Sequence, residues 1–541
     1  MKKGKCKHIV FGLLTAILLI GCNQDQPATQ PQSKTQESSA QQAAASTPKC
    51  TKESFPSLPD VKITAVTQEP APPAHCAVTG VIELEIGFEL LLPDNWNGKF
   101  VMGGSGGFAG SIVNAAQDLF TAVQKGYATV ATDTGHKGNA LDASWALNNL
   151  ERLENFGHQA VHRTAVNAKA LTKAYYGRDM DRNYFVGCSR GGGQALMEAQ
   201  RYPEDFEGIV AMSPAYTWTH ELGARWIHVA QRMYPDPTQI ETPVIGAAAL
   251  KLIGEAVMNQ CDALDGIKDG ILNDPRQCNF DVASLKCEQG TSKKCLSPEQ
   301  VKAAQAIYSD FEVAGQVMYG TPIGAELPGT PIGWDRWYTG GYKPGKDLDF
   351  HEGINDQTPA PPVPNGTWAF ATGIFRYFLY NDPDWSYVGY DFEDFAHKAA
   401  RVARSLNADN PDLSAFRARG GKLIIDNGWM DGSMSTYGTI KYYESVMDHD
   451  RTAREDVRLF LRPGVTHCAF GPGPDVTDYL AAIDEWVESG EAPDQLPAHF
   501  RGPDLQPTDE GRILCAYPKV VKYDGKGNPR NASSFSCVDP E

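Results

Sequence analysis

The chain has 541 residues, enough for one enlarged domain or for several small ones. Hydrophobic residues make up 42% of it and charged residues 21%, a balance that excludes both a disordered polymer and a polytopic membrane protein. Acidic side chains outnumber basic ones by 66 to 49, and the formal charge of -17 argues against a nucleic acid as partner because it would repel a phosphate backbone.

Residues 1–22 have the pattern of an export signal. Several lysines precede an apolar run over residues 9–20, which is too short to span about 30 Å of hydrocarbon as a mature helix. The run ends in Leu19-Ile20-Gly21-Cys22, which resembles a bacterial lipobox and predicts that Cys22 is acylated and becomes the N-terminus. An ordinary signal peptide with a chance cysteine is the alternative. Asn23 favours an outer-membrane lipoprotein, facing the periplasm or the cell surface, that touches the membrane only through its lipid anchor.

Residues 23–48 are a predicted disordered linker. Their composition collapses to Gln, Ser, Ala, Thr and Pro, with too few apolar residues to offset the entropy of ordering. We therefore expect the folded body to begin near Cys50.

In the body, short apolar segments alternate with helical patterns. Strands are expected at 100–102, 127–132, 184–187, 209–212, 423–425 and 457–461, and helices at 158–176 and 193–201. This alternation predicts an α/β fold with a mostly parallel sheet, formed by residues 49–215 and 411–541. Between residues 216 and 410 the alternation is lost among proline, glycine and aromatic residues, which predicts a lid or cap insertion.

A nucleophile motif lies where the predicted strand 184–187 gives way to a helix. Gly187-Cys188-Ser189-Arg190-Gly191 has the GxSxG pattern, and its glycines leave room for the sharp turn that lifts the Ser189 hydroxyl above the sheet edge. The apolar segment before it and the helical segment after it supply the context that the motif requires. Ser189 is the predicted nucleophile.

A serine nucleophile of this kind needs an acid and then a histidine later in the chain. His467 is the predicted base because it follows a late strand in a loop rich in proline and glycine. Asp431 is favoured over Asp426 as the acid, since Asp426 sits at the end of its strand whereas the acid must reach back from a loop. His136 and His158 precede the motif and are expected to make structural hydrogen bonds.

An acidic loop lies in the predicted insertion. Asp262, Asp265 and Asp269 follow one another at spacings of three and four residues, with glycines that permit a chain reversal. Such a density of hard oxygen ligands suits Ca2+. From the residues alone, a calcium site and a solvated acidic turn remain equally open.

Ten cysteines remain once Cys6 and Cys22 are set aside from the total of twelve. In an exported protein an even number predicts disulfides, and short spacings suggest local pairs such as Cys287 with Cys295, with free buried thiols as the alternative. Cys188 precedes the predicted nucleophile and Cys468 follows the predicted base, so a bridge between them would tie the two catalytic segments together.

With these motifs the chain resembles the tannase and feruloyl esterase family, whose hallmark is a Cys-Ser, Asp, His-Cys arrangement joined by that disulfide. The resemblance extends over nearly all of residues 50–537. It includes Gly-Gly-Phe-Ala-Gly at 106–110, Thr-Asp-Thr-Gly-His at 132–136 and Ala-Gln-Arg-Tyr-Pro-Glu-Asp-Phe-Glu-Gly at 199–208.

The resemblance implies an α/β-hydrolase fold with a large lid insertion and a structural Ca2+ ion. The implied calcium ligands are Asp262, Asp265, the Ile267 carbonyl, Asp269 and the Ile271 carbonyl. The implied disulfides are Cys50 with Cys76, Cys188 with Cys468, Cys261 with Cys278, Cys287 with Cys295, and Cys515 with Cys537.

The expected function is that of a serine carboxylesterase that forms an acyl-enzyme on Ser189. Backbone N–H groups of Arg190 and of Gly106, or nearby Gly107, are the candidate oxyanion donors. A non-catalytic, calcium-stabilised binding lipoprotein is the alternative from another class.

The expected substrate is a small aromatic ester, because relatives in the family cleave galloyl or feruloyl esters. One branch cleaves mono(2-hydroxyethyl) terephthalate, with an acid directly after the nucleophile and a cap arginine that binds the terephthalate carboxylate. This chain has Arg190 after the nucleophile, and Arg376 is the candidate for the cap arginine. Hydrolysis of the terephthalate monoester is therefore the alternative function. The sequence carries no signal from which the oligomeric state can be predicted. Aromatic residues of the insertion that form either a stacking surface or cap core are Trp334, Trp337, Tyr338, Phe375, Tyr377 and Trp385.

Overall fold

The computed structural model describes residues 49–288, 294–330, 332–340 and 363–540. The predicted signal, Cys22 and the linker lie outside the described residues, as do parts of the predicted insertion. Within these ranges, none of the helices combines the length and the apolar character that crossing a membrane requires.

A nine-stranded sheet forms the centre of the molecule, in the order β1-β2-β3-β5-β4-β6-β7-β10-β11. From β5 to β11 every neighbouring pair is parallel, whereas β1, β2, β3 and β5 pair antiparallel. The mostly parallel sheet is therefore confirmed. The strands are β1 Val61–Glu69, β2 His75–Ile82, β3 Ile86–Pro93, β4 Lys99–Gly103, β5 Ala128–Thr132, β6 Arg182–Cys188, β7 Gly208–Met212, β8 Phe311–Val313, β9 Gln316–Met318, β10 Lys422–Gly428, β11 Val457–Arg462, β12 Gln495–Arg501, β13 Pro507–Cys515, β14 Val520–Tyr523 and β15 Phe535–Val538.

Helices cover both faces of this sheet and build most of the remaining structure. The α-helices are α1 Ala115–Phe120, α2 Leu150–Glu154, α3 Ala160–Tyr176, α4 Arg190–Arg201, α5 Trp226–Met233, α6 Ala247–Cys261, α7 Pro298–Tyr308, α8 Gly366–Gly373, α9 Phe395–Leu406, α10 Ser414–Ala418, α11 Thr436–His449 and α12 Tyr479–Ser489. π-Helical turns adjoin several of them, at Asn155–Gln159, Trp218–Arg225, Asp335–Thr339 and Ile374–Leu379.

The interior is divided among apolar clusters that follow the chain's organisation. One cluster packs β2, β3, β5 and their neighbours against α3, α4 and α11, and another packs the opposite face of the sheet against α12. A third gathers the aromatic residues of the segment 216–410. In its described part, this segment adds no strand to the central sheet; β8 and β9 pair only with each other.

Two features differ from the sequence expectations. The three antiparallel strands β1–β3 were not anticipated: β1 has no fully buried residue, so its apolar signal is weak. The helix after the nucleophile begins at Arg190 rather than at residue 193. Glycine lowers intrinsic helix propensity, and here close packing against the neighbouring backbone overrides that preference.

Within the described ranges, five disulfides are formed, in the pairing that the family resemblance implies. They are Cys50–Cys76, Cys188–Cys468, Cys261–Cys278, Cys287–Cys295 and Cys515–Cys537.

Candidate active site

Four predicted functional segments meet at one edge of the sheet because each follows the carboxyl end of a parallel strand. Gly106 follows β4, Ser189 follows β6, Asp431 follows β10 and His467 follows β11. These strands are close neighbours in the sheet, with only β7 between β6 and β10. Residues far apart in sequence thereby share one site.

Ser189 occupies a strained turn between β6 and α4. Its φ of 59° and ψ of -118° are unfavourable for a residue with a side chain. The turn can form because the positions around Ser189 where backbone segments approach most closely are glycines, which have no Cβ. A Cβ at Gly187 would lie 2.5 Å from the Gly191 carbonyl carbon, and one at Gly193 would lie 2.0 Å from the Ala215 carbonyl oxygen. This is the geometry expected of a nucleophile elbow.

Asp431 and His467 form a buried pair beside this turn. The His467 Nδ1 and Asp431 Oδ2 atoms are 2.9 Å apart. The other oxygen, Asp431 Oδ1, accepts hydrogen bonds from the Ser433 amide and hydroxyl, each at 2.9 Å, and from the Met434 amide at 3.0 Å. Burial by itself would raise the pKa of Asp431, but its interactions with His467 and Ser433 outweigh that effect and lower it. The carboxylate is therefore held ionised and oriented on Nδ1.

The second ring nitrogen of His467 points to a place without a protein partner. Nε2 is buried and makes no hydrogen bond to any part of the chain that the structure describes. The Trp337 ring lies edge-on to the imidazole at a centroid distance of 5.3 Å. An orphaned, buried Nε2 beside a nucleophile elbow is suited to exchange a proton with a serine hydroxyl or a leaving group.

The disulfide between Cys188 and Cys468 joins the neighbours of Ser189 and His467 directly. Their Cα atoms are 5.8 Å apart although 280 positions separate them in the chain. The Cys468 amide also donates to the Ser213 hydroxyl at 3.4 Å. The loop that carries His467 is thus fixed to the end of the strand that carries Ser189.

The glycine-rich loop after β4 lies against the start of α4. The Gly104 amide donates to the Val186 carbonyl at 2.9 Å, and Gln194 on α4 accepts from the Ser105 amide and donates to its hydroxyl, at 3.0 and 2.9 Å. The next two amides, of Gly106 and Gly107, donate no hydrogen bond within the described ranges. No sequence signal identified Gln194, because its contact with Ser105 depends on how α4 packs.

The backbone amide of Arg190 lies at the site, whereas its side chain is buried away from it. As the first residue of α4, it has an N–H group without an intrahelical acceptor. Its guanidinium is buried over the Phe156 and Trp218 rings and donates to the carbonyls of Phe156 and Gly157. Burial lowers the pKa of Arg190 to about 9. The free amides of Arg190, Gly106 and Gly107 can accommodate an oxyanion.

The other acids and histidines considered for the site have structural partners. Asp426 Oδ2 lies 2.7 Å from Arg462 Nε and accepts from the Tyr479 hydroxyl at 2.5 Å. His136 Nε2 lies 2.9 Å from the Phe108 carbonyl, and His158 Nδ1 lies 2.6 Å from the Tyr202 hydroxyl. These contacts fit the expected structural roles.

Most aromatic residues named as possible substrate contacts belong to the core of the segment 216–410. Trp334, Tyr338 and Phe375 are fully buried there. Trp337 differs because it contacts His467. Arg376 donates through Nε to the Trp385 carbonyl at 3.1 Å.

The acidic loop after α6 folds back on itself through turns at Gly266 and Gly270, which have φ of 88° and 78°. Asp262 Oδ1 accepts the Asp269 and Gly270 amides at 3.2 and 2.7 Å. Burial, with Asp269 nearby as a smaller cause, raises the pKa of Asp265 to about 6.

A raised carboxyl pKa beside a second acid is typical of a place that favours a cation. The donor set of Asp262, Asp265 and Asp269 therefore fits Ca2+ in chemistry. In the described part of the chain, however, the three carboxylates do not form a trio of oxygens within 4.8 Å of one another. One oxygen of Asp269 instead pairs with Arg512.

Comparison with known proteins identifies the family. The model for "Tannase and feruloyl esterase" matches residues 71–538. The chain belongs to this family. It is a carboxylic ester hydrolase, and the alternative of a non-catalytic binding protein is thereby set aside.

Individual relatives agree with this placement over most of their length. The chain is 33% identical to an uncharacterized esterase from Xanthomonas campestris pv. campestris, with 89% of this chain and 90% of that protein covered. It is 31% identical to a mono(2-hydroxyethyl) terephthalate hydrolase from Piscinibacter sakaiensis, with 88% and 87% covered. Among solved structures, feruloyl esterase B from Aspergillus oryzae superposes with a TM-score of 0.75 at 26% identity, covering 89% of this chain and 98% of that one. The predicted α/β-hydrolase fold is confirmed.

Proposed function

We propose that the family member described here is a serine esterase that hydrolyses aromatic carboxylic esters of the feruloyl or galloyl type through an acyl-enzyme. The observation that carries the proposal is the buried pair of Asp431 and His467, whose free Nε2 lies in the loop tied by disulfide to the Ser189 elbow. The pairing of Asp431 with Nδ1 leaves Nε2 as the basic nitrogen.

In the proposed reaction, Ser189 Oγ attacks the ester carbonyl carbon while His467 Nε2 takes the hydroxyl proton. The carbonyl oxygen becomes an oxyanion, which the amides of Arg190 and Gly106 stabilise. Collapse breaks the ester C–O bond, and His467 returns the proton to the leaving alcohol. Water then repeats the sequence on the acyl-enzyme and releases the acid, with Asp431 stabilising the imidazolium in both halves.

The nucleophile assignment is tested with a short activated ester. We expect Ser189→Ala to reduce p-nitrophenyl acetate hydrolysis by about 1000-fold or more, because only the oxyanion donors and binding would remain. Ser445→Ala, in α11, is the matched control and should keep wild-type activity. Full activity in Ser189→Ala would make the assignment wrong.

The aromatic acyl preference is supported by Trp337 beside His467 and by the relatives named feruloyl esterase. A panel of methyl ferulate, methyl gallate, chlorogenic acid and mono(2-hydroxyethyl) terephthalate, compared by kcat/KM, tests it. Terephthalate monoester hydrolysis is the second candidate, favoured by the 31% identical relative with that name. The highest kcat/KM on the terephthalate monoester would select this second candidate.

A calcium ion held by Asp262, Asp265 and Asp269, with the Ile267 and Ile271 carbonyls, is part of the proposal. Its support is the oxygen donor set and the raised pKa of Asp265. When bound, the ion would neutralise the acidic loop and stabilise the fold, with no part in the chemical steps.

The proposed location is the outer membrane, through an acyl anchor on Cys22. This rests on the lipobox-like sequence alone. Metabolic labelling with a radioactive or alkyne fatty acid tests it, and Cys22→Ala should abolish labelling. Label retained in Cys22→Ala would exclude this anchor.

A further inference from the structure

A second group of side chains that could bind a metal lies at the C-terminal end of α4, the opposite end of the helix from Ser189. His162 comes from α3, Glu198 from the last turns of α4, and Asp205 from the turn that follows α4. One ligand atom from each lies within 4.8 Å of the other two. Glu198 and Asp205 retain only 1% and 3% of their exposure. The carboxylates are therefore close together and largely removed from water.

The burial of Glu198 is compensated only in part, by the nearby charge of Lys169. Neither of its carboxylate oxygens has a hydrogen-bond partner among the residues that the structure describes. An ionised carboxylate buried without a partner is costly, so such a group takes up a proton or faces a cation. Burial, followed in importance by the charge of Asp205, raises the pKa of Glu198 well above its usual value.

Lys169 is the cationic neighbour that contacts the Asp205 carboxylate. Lys169 Nζ is 2.5 Å from the Asp205 carbonyl and 3.2 Å from Asp205 Oδ1. The other oxygen, Asp205 Oδ2, lies 2.6 Å from His162 Nδ1. One lysine thus faces two carboxylates, and the Glu204 charge adds to the negative side.

We propose that His162 Nδ1, Glu198 and Asp205 Oδ2 bind a divalent transition-metal cation of the zinc type. An imidazole nitrogen with two carboxylate oxygens is a donor set that Zn2+ accepts, whereas Ca2+ prefers oxygen alone. On binding, the cation would displace the proton between His162 and Asp205 into water and supply the positive charge that Glu198 lacks. The two ligand atoms, 2.6 Å apart, would separate to the wider spacing of tetrahedral ligands. Water would complete the coordination. The His162 side chain is 27% exposed and so leaves a path from solvent.

Two contacts support the ligands from outside. Lys169 holds Asp205 through the oxygen that faces away from His162, and the Tyr202 ring stacks on the imidazole at 3.9 Å. Partners of this kind orient metal ligands and are part of most metal sites. The bound ion would join α3 to the end of α4 and would have a structural role, since Ser189 lies at the other end of that helix.

The test measures metal content, with calcium held in excess to saturate the acidic loop. The purified protein is stripped with a chelator, dialysed against Zn2+ and Ca2+, and analysed by inductively coupled plasma mass spectrometry. We expect one zinc per chain in the wild type and its loss in His162→Gln. Co2+ should give visible absorption bands in the wild type and none in that variant.

His449→Gln is the matched control, because His449 faces Asp412 at 3.5 Å on the surface without a third ligand. It should retain the zinc, and circular dichroism with p-nitrophenyl acetate hydrolysis checks that each variant is folded. Absence of zinc in the wild type, or equal zinc in folded His162→Gln, would overturn the proposal. A proton shared between Glu198 and Asp205 would then account for their burial.

Discussion

Removal of the bridge between Cys188 and Cys468 tests whether it positions the catalytic groups or only stabilises the fold. The bridge spans 280 positions of sequence. In the chain-entropy description, closing a loop of that length restricts the unfolded state by about 5 to 6 kcal/mol. We expect Cys188→Ala/Cys468→Ala to lose stability of that order and also to lose activity.

The expected loss of activity follows from the positions of Cys188 and Cys468 in the chain. Each is covalently adjacent to a proposed catalytic residue, Ser189 or His467. A displacement of about 1 Å between reacting groups can cost about 100-fold in rate, so a fall in kcat of that size is expected. Urea unfolding measures the stability loss, and kcat on p-nitrophenyl acetate is measured at a temperature where circular dichroism shows a folded protein.

A second disulfide supplies the control. Cys50 and Cys76 are 26 positions apart, so their bridge restricts the unfolded chain by about 3.5 kcal/mol. Cys50→Ala/Cys76→Ala should therefore be less stable than the wild type but keep its kcat. Equal kcat in the two folded double variants would refute a positioning role for the Cys188–Cys468 bridge.

Three further predictions concern other parts of the molecule. Gln194→Ala should lower kcat by up to about 100-fold with little change in KM, because the glycine loop loses its hold on Ser105; an unchanged kcat would contradict this. Removal of calcium with a chelator should lower the melting temperature, and Asp262→Asn should abolish the difference. Burial raises the pKa of Glu326 to about 7, well above its usual value, despite hydrogen bonds that lower it. Between pH 4.5 and about 7 the folded state therefore keeps a proton that the unfolded chain has released, so the free energy of unfolding falls as pH rises through this range. Relative to the wild type, Glu326→Gln should therefore gain about 3 kcal/mol of stability as pH rises from 4.5 to 8.

The parts of the site that sequence could predict are those that a local pattern encodes. The elbow at Ser189 was recognisable because a turn so strained requires glycines at fixed offsets. Asp431 was preferred over Asp426 because of its place beyond the strand end, and it is Asp431 that contacts His467. The catalytic roles of these residues stay predictions that the variants above test.

The parts that sequence could not predict depend on packing between distant segments. Nothing near Gln194 reveals that it holds Ser105, because that contact depends on how α4 packs against the glycine loop. Nothing near His162 reveals that it approaches Asp205, because that contact depends on how α3 packs against the turn after α4. The π-helical turn Asn155–Gln159, which accepts the Arg190 guanidinium, has no recognised sequence signal either. Among the antiparallel strands at the sheet edge, β1 was missed because none of its residues is fully buried.

The segment 216–410 packs against the proposed catalytic residues. Met430 and Met434, on either side of Asp431, belong to the same apolar cluster as Trp337. Trp337 packs against Gly432 as well as His467: a Cβ at Gly432 would lie 3.1 Å from the indole Cδ1. We therefore expect changes that repack this segment for a new substrate to act also on Asp431 and His467, the proposed acid and base. Variants selected there for altered specificity should change kcat together with KM.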